Sequence, residues 1–158
     1  MSTPSTNGHP LMIERTLKAP RLNIWRCWTE PELLKQWFCP KPWSVSVANL
    51  DVRPGGASDI VMNGPNGEVA PNPGQYLEVI PGERLVFTDA FVGDWKPGAS
   101  KPFMVGEITM EDDPAGGTRY TARALHWSAE DMATHEQMGF RAGWTIATEQ
   151  LEAFARTL

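Results

Sequence analysis

A chain of 158 residues with a net charge of −5, 41% hydrophobic and 21% charged residues reads as one globular domain, large enough to bury a core without disulfides or metals. It carries no Lys/Arg cluster that would mark a nucleic-acid surface, and its apolar runs fall far short of the ~20 residues that span a bilayer. Residues 1–10 lack the apolar segment of an export signal, and two cysteines are too few for a disulfide framework, so the expected compartment is the cytoplasm, with reduced thiols.

Residues 1–9 read as a disordered lead, and residues 10–158 as the single domain. Leu11 to Leu17 alternates between Pro10 and Pro20 and predicts a strand. Pro20 suits a first helical turn, and Ile24, Cys27 and Trp28 then recur at helical spacing. Thr29-Glu30-Pro31 breaks that helix, and Glu32 to Phe38 forms a second short one. Cys39-Pro40-Lys41-Pro42-Trp43 is extended and locked by proline. Six β-rich runs follow, at about Val45–Val52, Ser58–Met62, Gly74–Ile80, Arg84–Phe91, Phe103–Met110 and Thr118–Trp127. Gly/Pro turns such as Pro54-Gly55-Gly56 and Pro81-Gly82-Glu83 separate them, which predicts an antiparallel meander. Ser128 with Asp131 has the form of a capping box. No proline follows, so one helix is expected from Ser128 to about Thr157, on the order of 45 Å long at 1.5 Å per residue. Phe140, Trp144, Ala147, Leu151, Phe154 and Leu158 form its apolar stripe.

The result is an α+β architecture: a curved antiparallel sheet of six to seven strands, two short helices after the first strand, and a long C-terminal helix covering the sheet. A hollow between such a sheet and its helix is a preferred ligand site. This order resembles the helix-grip fold of START-like and birch-allergen-like proteins. The motifs Ala19-Pro20, Trp28-Thr29-Glu30-Pro31-Glu32-Leu33-Leu34 with Trp37, Asp51-Val52-Arg53-Pro54-Gly55-Gly56, Val79-Ile80-Pro81-Gly82-Glu83-Arg84-Leu85 and Gly143-Trp144 with Leu151 resemble one family within it. That family is related to the C-terminal domain of the activator of the heat-shock-protein-90 ATPase and is often grouped with polyketide cyclases. Cys39-Pro40-Lys41-Pro42-Trp43 and His135-Glu136-Gln137-Met138-Gly139-Phe140 are similar to a bacterial subgroup of unassigned function. The resemblance implies an interior cavity but no single activity, because one fold hosts many functions.

The candidate cavity residues come from side-chain parity and helical phase. On a wheel of about 100° per residue with Phe140 at the origin, Glu136 falls about 40° away, Gly143 about 60° and His135 about 140°. Glu136 is therefore expected to face the sheet and His135 to face solvent. Glu136 is then either a cavity acid or a carboxylate paired with an arginine beyond the sheet edge. On the last strand Arg119, Thr121 and Arg123 form a polar face, while Tyr120, Ala122, Ala124 and His126 share the other. His126 is either the acid–base partner of Glu136 or an edge histidine bonded to a carbonyl. Phe87, Asp89 and Phe91 share the inward parity of their strand, and Asp89 has a conceivable partner in Arg15. Trp95, in the Gly-flanked run between Phe91 and Phe103, is a candidate lid or an aromatic folded onto the sheet. Gly139 and Gly143 make room for either a strand or a ligand. Trp37 and Trp43 are rim or core candidates. Three His and two Cys lack metal-ligand spacing, and no Gly-x-Ser-x-Gly elbow occurs, so no metal and no cofactor are expected.

These residues favour a domain that binds a small apolar or aromatic molecule. A cyclase- or hydrolase-like enzyme using Glu136 and His126 is the second reading. A chaperone-interacting module, implied by the resemblance, is the third.

Overall fold

Alternation of apolar and polar side chains sets the strands, and the burial follows it. In the computed structural model, which describes residues 8–158, β1 (Leu11–Leu17) buries Leu11, Ile13 and Leu17 and exposes the residues between. After α1 (Arg21–Thr29) and α2 (Pro31–Leu34) come β2 (Ser44–Leu50), β3 (Ala57–Asn63), β4 (Val69–Ile80), β5 (Arg84–Thr88), β6 (Val105–Asp112) and β7 (Thr118–Leu125). All pair antiparallel in one curved sheet of order β1-β7-β6-β5-β4-β3-β2. The six meander strands are thus closed by β1, which returns to pair with β7 from Leu11↔Ala124 to Leu17↔Thr118. Of the expected lead, residues 1–7 lie outside the described residues. Gly8 and His9 are tied to the end of β7, where the His126 amide donates to the Gly8 carbonyl at 2.6 Å.

Two strand limits differ from those expected, one of them where prolines intervene. β4 begins at Val69, ahead of the expected Gly74, and runs through Pro71 and Pro73. Residues 69–74 pair with β3 alone, since β5 joins only from Gln75 onward. A half-strand with one neighbour tolerates prolines that cannot donate to a second. β5 ends at Thr88, three residues before the expected Phe91.

The outer face of the sheet carries its charge. Glu107 accepts from Arg123 at 2.6 and 2.9 Å and from Arg84 at 3.3 Å, and Arg119 donates to Glu111 at 3.2 Å. The inner face holds the main core, in which Ile13, Leu85, Ile108, Tyr120 and Ala122 meet Ile24 and Trp28 of α1 and residues of the C-terminal helix. A second cluster of Leu34, Cys39, Val45, Ala48 and Ile60 sits under α2.

The C-terminal segment departs from the expected continuous helix. It is two helices, α3 (Ala129–Gln137) and α4 (Phe140–Ala155). Ser128 caps α3 as its sequence suggests, its side chain accepting from the Asp131 amide at 3.1 Å. At the junction Gly139 takes φ +96°, ψ 33°, a left-handed conformation that an α-helix cannot contain. The chain therefore turns there, and α3 has its own phase relative to the core. Along α4 the apolar stripe holds from Phe140 to Phe154: Phe140 and Leu151 are buried, and Trp144, Ala147 and Phe154 pack on the core, whereas Leu158 lies past the end of the helix and is exposed.

Candidate functional site

The aromatic residues of three separate segments converge between the sheet and α4. Tyr120 and Ala122 of β7 and Phe87 of β5 form the sheet side, and Phe140, Gly143, Trp144 and Ala147 of α4 form the helix side. Trp28 of α1, with Trp37 and Phe38 just after α2, closes the flank. They enclose a pocket of about 320 Å³, to which Met62, Met104 and Met138 also contribute. That volume lies at the low end of small-molecule sites, which run to roughly 300–1,000 Å³.

The polar atoms of Trp28, Trp37 and Tyr120 are engaged within the protein. The Trp28 indole donates to the Tyr120 hydroxyl at 3.1 Å, and the Trp37 indole donates to the Cys27 carbonyl at 3.0 Å. Trp28 and Trp37 meet edge to face with ring centroids 4.9 Å apart. Their polar edges are thereby satisfied in place, and rigid apolar faces remain for the pocket. Burial raises the Tyr120 hydroxyl far above the usual phenol range and pushes the Cys27 thiol up to about 12, so neither ionises near neutral pH. On α4, a Cβ built at Gly143 meets nothing within 4 Å. Gly143 thus contributes open space to the pocket and no close strand contact.

A histidine pair stands at one wall. His126 Nδ1 lies 2.8 Å from the His9 carbonyl oxygen, and His126 Nε2 lies 2.9 Å from His135 Nδ1. His135 lines the pocket; its ring centroid is 4.8 Å from Phe103 and 5.2 Å from Phe140. Desolvation first, and the neighbouring His126 second, hold its pKa down from the usual 6.5 to about 4. Sequence phase placed His135 in solvent and Glu136 toward the sheet, and the structure reverses both. His135 is buried at 8% exposure, whereas Glu136 is exposed and pairs with Arg141 at 3.8 Å. The cause is the turn at Gly139, which breaks the helical phase between α4 and residues 135–136. His126 and Glu136 therefore do not face one hollow, and of the two alternatives for each the non-catalytic one is seen: His126 bonds a backbone carbonyl and Glu136 pairs with an arginine.

A family assignment follows from comparison with known proteins. Residues 18–156 match the model of the family described as Activator of Hsp90 ATPase homolog 1-like protein. The chain belongs to that family. A solved structure of a protein from Nitrosomonas europaea is similar at 43% identity, with 94% of each chain covered and a TM-score of 0.89. A Mycobacterium smegmatis protein is similar at 28% identity over 93% of this chain and 90% of that one, with a TM-score of 0.78. A homolog 1-like protein from Aeromonas hydrophila shares the fold at 17% identity, over 94% of this chain and 92% of that one, with a TM-score of 0.71. No curated relative matches the chain.

Within this homolog 1-like fold the remaining candidates divide between the pocket and its surroundings. Phe87, Ala122, Gly139, Phe140, Gly143 and Trp37 line the pocket. Ala124 is fully buried in the sheet beside Leu11 and Gly106. Asp89 does not meet Arg15: its carboxylate accepts from the Phe103 amide at 2.9 Å and from the Met104 amide at 3.2 Å, fastening the base of the 91–103 loop. Phe103 bears on the histidine pair. Trp95 is 54% exposed, its amide donating to Gln75 and its ring edge-on to Phe91, so it stands away from the pocket. Trp43 packs on the cluster under α2. Trp28, Phe38, Tyr120, His135 and Trp144 are pocket residues that sequence reasoning did not single out. No sequence period joins Trp28 and Trp37 across the helix break at residues 29–31, so tertiary contact alone brings them to the pocket. Among the described residues no three His, Cys, Asp or Glu side chains converge as metal ligands, and no helix is long and apolar enough to cross a membrane.

Proposed function

We propose that this protein binds a small apolar or aromatic molecule between the sheet and α4. The observation that carries the reading is the pocket of about 320 Å³ walled by Trp28, Trp37, Phe87, Phe140 and Trp144, with both flanking indole N–H groups bonded inside the protein. Such a wall offers apolar contact with little polar surface to desolvate. The test is a thermal-shift screen with aromatic, lipid and polyketide-like compounds. A ligand present at 100 times its Kd adds about 2.7 kcal/mol, which is about 5–10 °C for a domain of this size. A folded protein that shifts with none of these classes refutes the reading.

A second reading follows from the family match over residues 18–156: contact with a chaperone and stimulation of its ATPase. Purified protein that leaves a chaperone ATPase rate unchanged counts against it. The cyclase- or hydrolase-like alternative finds no support in Glu136, which points away from the pocket into an ion pair with Arg141.

A further inference from the structure

The histidine pair fixes the polarity of the pocket wall. A backbone carbonyl only accepts, so His126 Nδ1, 2.8 Å from the His9 oxygen, carries a hydrogen. In a neutral imidazole that leaves His126 Nε2 as a bare lone pair. Its partner at 2.9 Å, His135 Nδ1, must then be the donor. His135 has no second proton, so its Nε2 is an acceptor. This atom makes no hydrogen bond among the described residues, yet it is absent from the sealed, unpartnered polar atoms, which are Asn63 Oδ1 and Gln75 Nε2. It belongs to a ring that lines the pocket.

Neutrality of both rings is what sets this direction. A cationic His126 would turn the chain round and make His135 Nε2 a donor. The surroundings oppose that charge. His126 is itself buried, its ring 5.8 Å from Phe103 and 5.1 Å from His135, and the His135 ring beyond it is packed against Phe103, Phe140 and Trp144, with centroids 4.8, 5.2 and 6.1 Å away. Among the described residues no carboxylate bonds to either imidazole. A buried cation without a partner is costly.

We infer that the pocket selects aromatic molecules bearing a hydrogen-bond donor, a phenol-type O–H or an indole-type N–H, which docks on the lone pair of His135 Nε2. This rests on the binding reading above. A matched pair of probes tests it: 1-naphthol and 1-methoxynaphthalene share the ring system, and only the first donates. By calorimetry 1-naphthol should bind about tenfold more tightly. In His135→Phe the two affinities should converge, with that of 1-methoxynaphthalene changed by about twofold or less. Equal affinity for the wild-type protein overturns the donor selection and leaves the binding reading standing. Binding of neither probe overturns the donor selection of aromatics, while the binding reading falls only if the lipid and polyketide-like classes of the thermal-shift screen fail as well. Nitrogen-15 spectra of the wild-type imidazoles need no variant: a hydrogen on His135 Nδ1, and an Nε2 resonance that moves with 1-naphthol alone, support the inference. A hydrogen resting on His135 Nε2 overturns it.

Discussion

Alanine at Gly139 and alanine at Gly143, made separately, should move stability in opposite directions although the sites lie four residues apart. Gly143 is inside α4 and a Cβ there meets nothing within 4 Å. Its replacement removes the helix-interior cost of glycine, about 0.8–1 kcal/mol. Gly139 also has open space around a built Cβ, so sterics with neighbours do not separate the two sites. Its backbone does: at φ +96° the Cβ of an alanine crowds the carbonyl group of the preceding residue. That strain costs about 1–2 kcal/mol, offset by about 0.4–1 kcal/mol from the stiffer unfolded chain. The net loss is then roughly 0.5–1 kcal/mol. For a domain of this length 1 kcal/mol corresponds to about 2–4 °C. Gly143→Ala should therefore melt a few degrees higher than the wild type and Gly139→Ala lower, in urea as well as by calorimetry. Gly139→Asn should recover part of the loss, because asparagine tolerates the left-handed region. If Gly139→Ala stabilises as much as Gly143→Ala, the segment is one continuous helix in solution, and the turn that buries His135 does not exist.

Two further perturbations probe the same walls. Tyr120→Phe removes the acceptor of the buried Trp28 indole at 3.1 Å; a loss of about 1–3 kcal/mol is expected from the stranded N–H, read as a lower urea midpoint with an unchanged slope. A loss below about 0.5 kcal/mol would show that the hydrogen bond contributes little. The His135 ring, whose pKa falls from 6.5 to about 4 on burial, favours the neutral form in the folded state. Its contribution is complete above pH ~6.5 and is lost as pH falls from there through ~4, up to roughly 3 kcal/mol in all. In His135→Phe that segment of the stability-versus-pH curve should flatten; a variant curve parallel to the wild type between pH 4 and 6.5 contradicts the assignment.

The strands were legible because alternation is a local property. Arg119, Thr121 and Arg123 face out and Tyr120, Ala122 and Ala124 face in, as parity requires. Pro71 and Pro73 hid the first half of β4, since proline reads as a breaker unless the strand is known to have one neighbour there. The pocket was legible in part. Gly143 and Phe140 follow from the phase of α4, and Phe87 and Ala122 from parity. Trp28 and Trp37 are joined to them by tertiary contact alone, and no sequence period links a helix before a break to a residue after the next. Asp89 shows the converse failure. An acid in an apolar row suggested a charge partner, whereas its actual partners are the amides of Phe103 and Met104, groups that side-chain identity does not encode.

The reversal of His135 and Glu136 carries the largest consequence, because it changes the chemistry the pocket is suited to. A carboxylate facing the pocket would have offered a base and an anionic contact. With Glu136 exposed beside Arg141, the wall carries instead an imidazole whose neighbours are aromatic rings and a second imidazole. A ring kept neutral down to about pH 4 is a weak base at pH 7. It can still accept a hydrogen bond, and its cost of desolvation is already met on folding. One glycine in the left-handed region therefore decides which of two neighbouring side chains stands at the pocket: with φ +96° at Gly139 it is His135, and Glu136 is left outside.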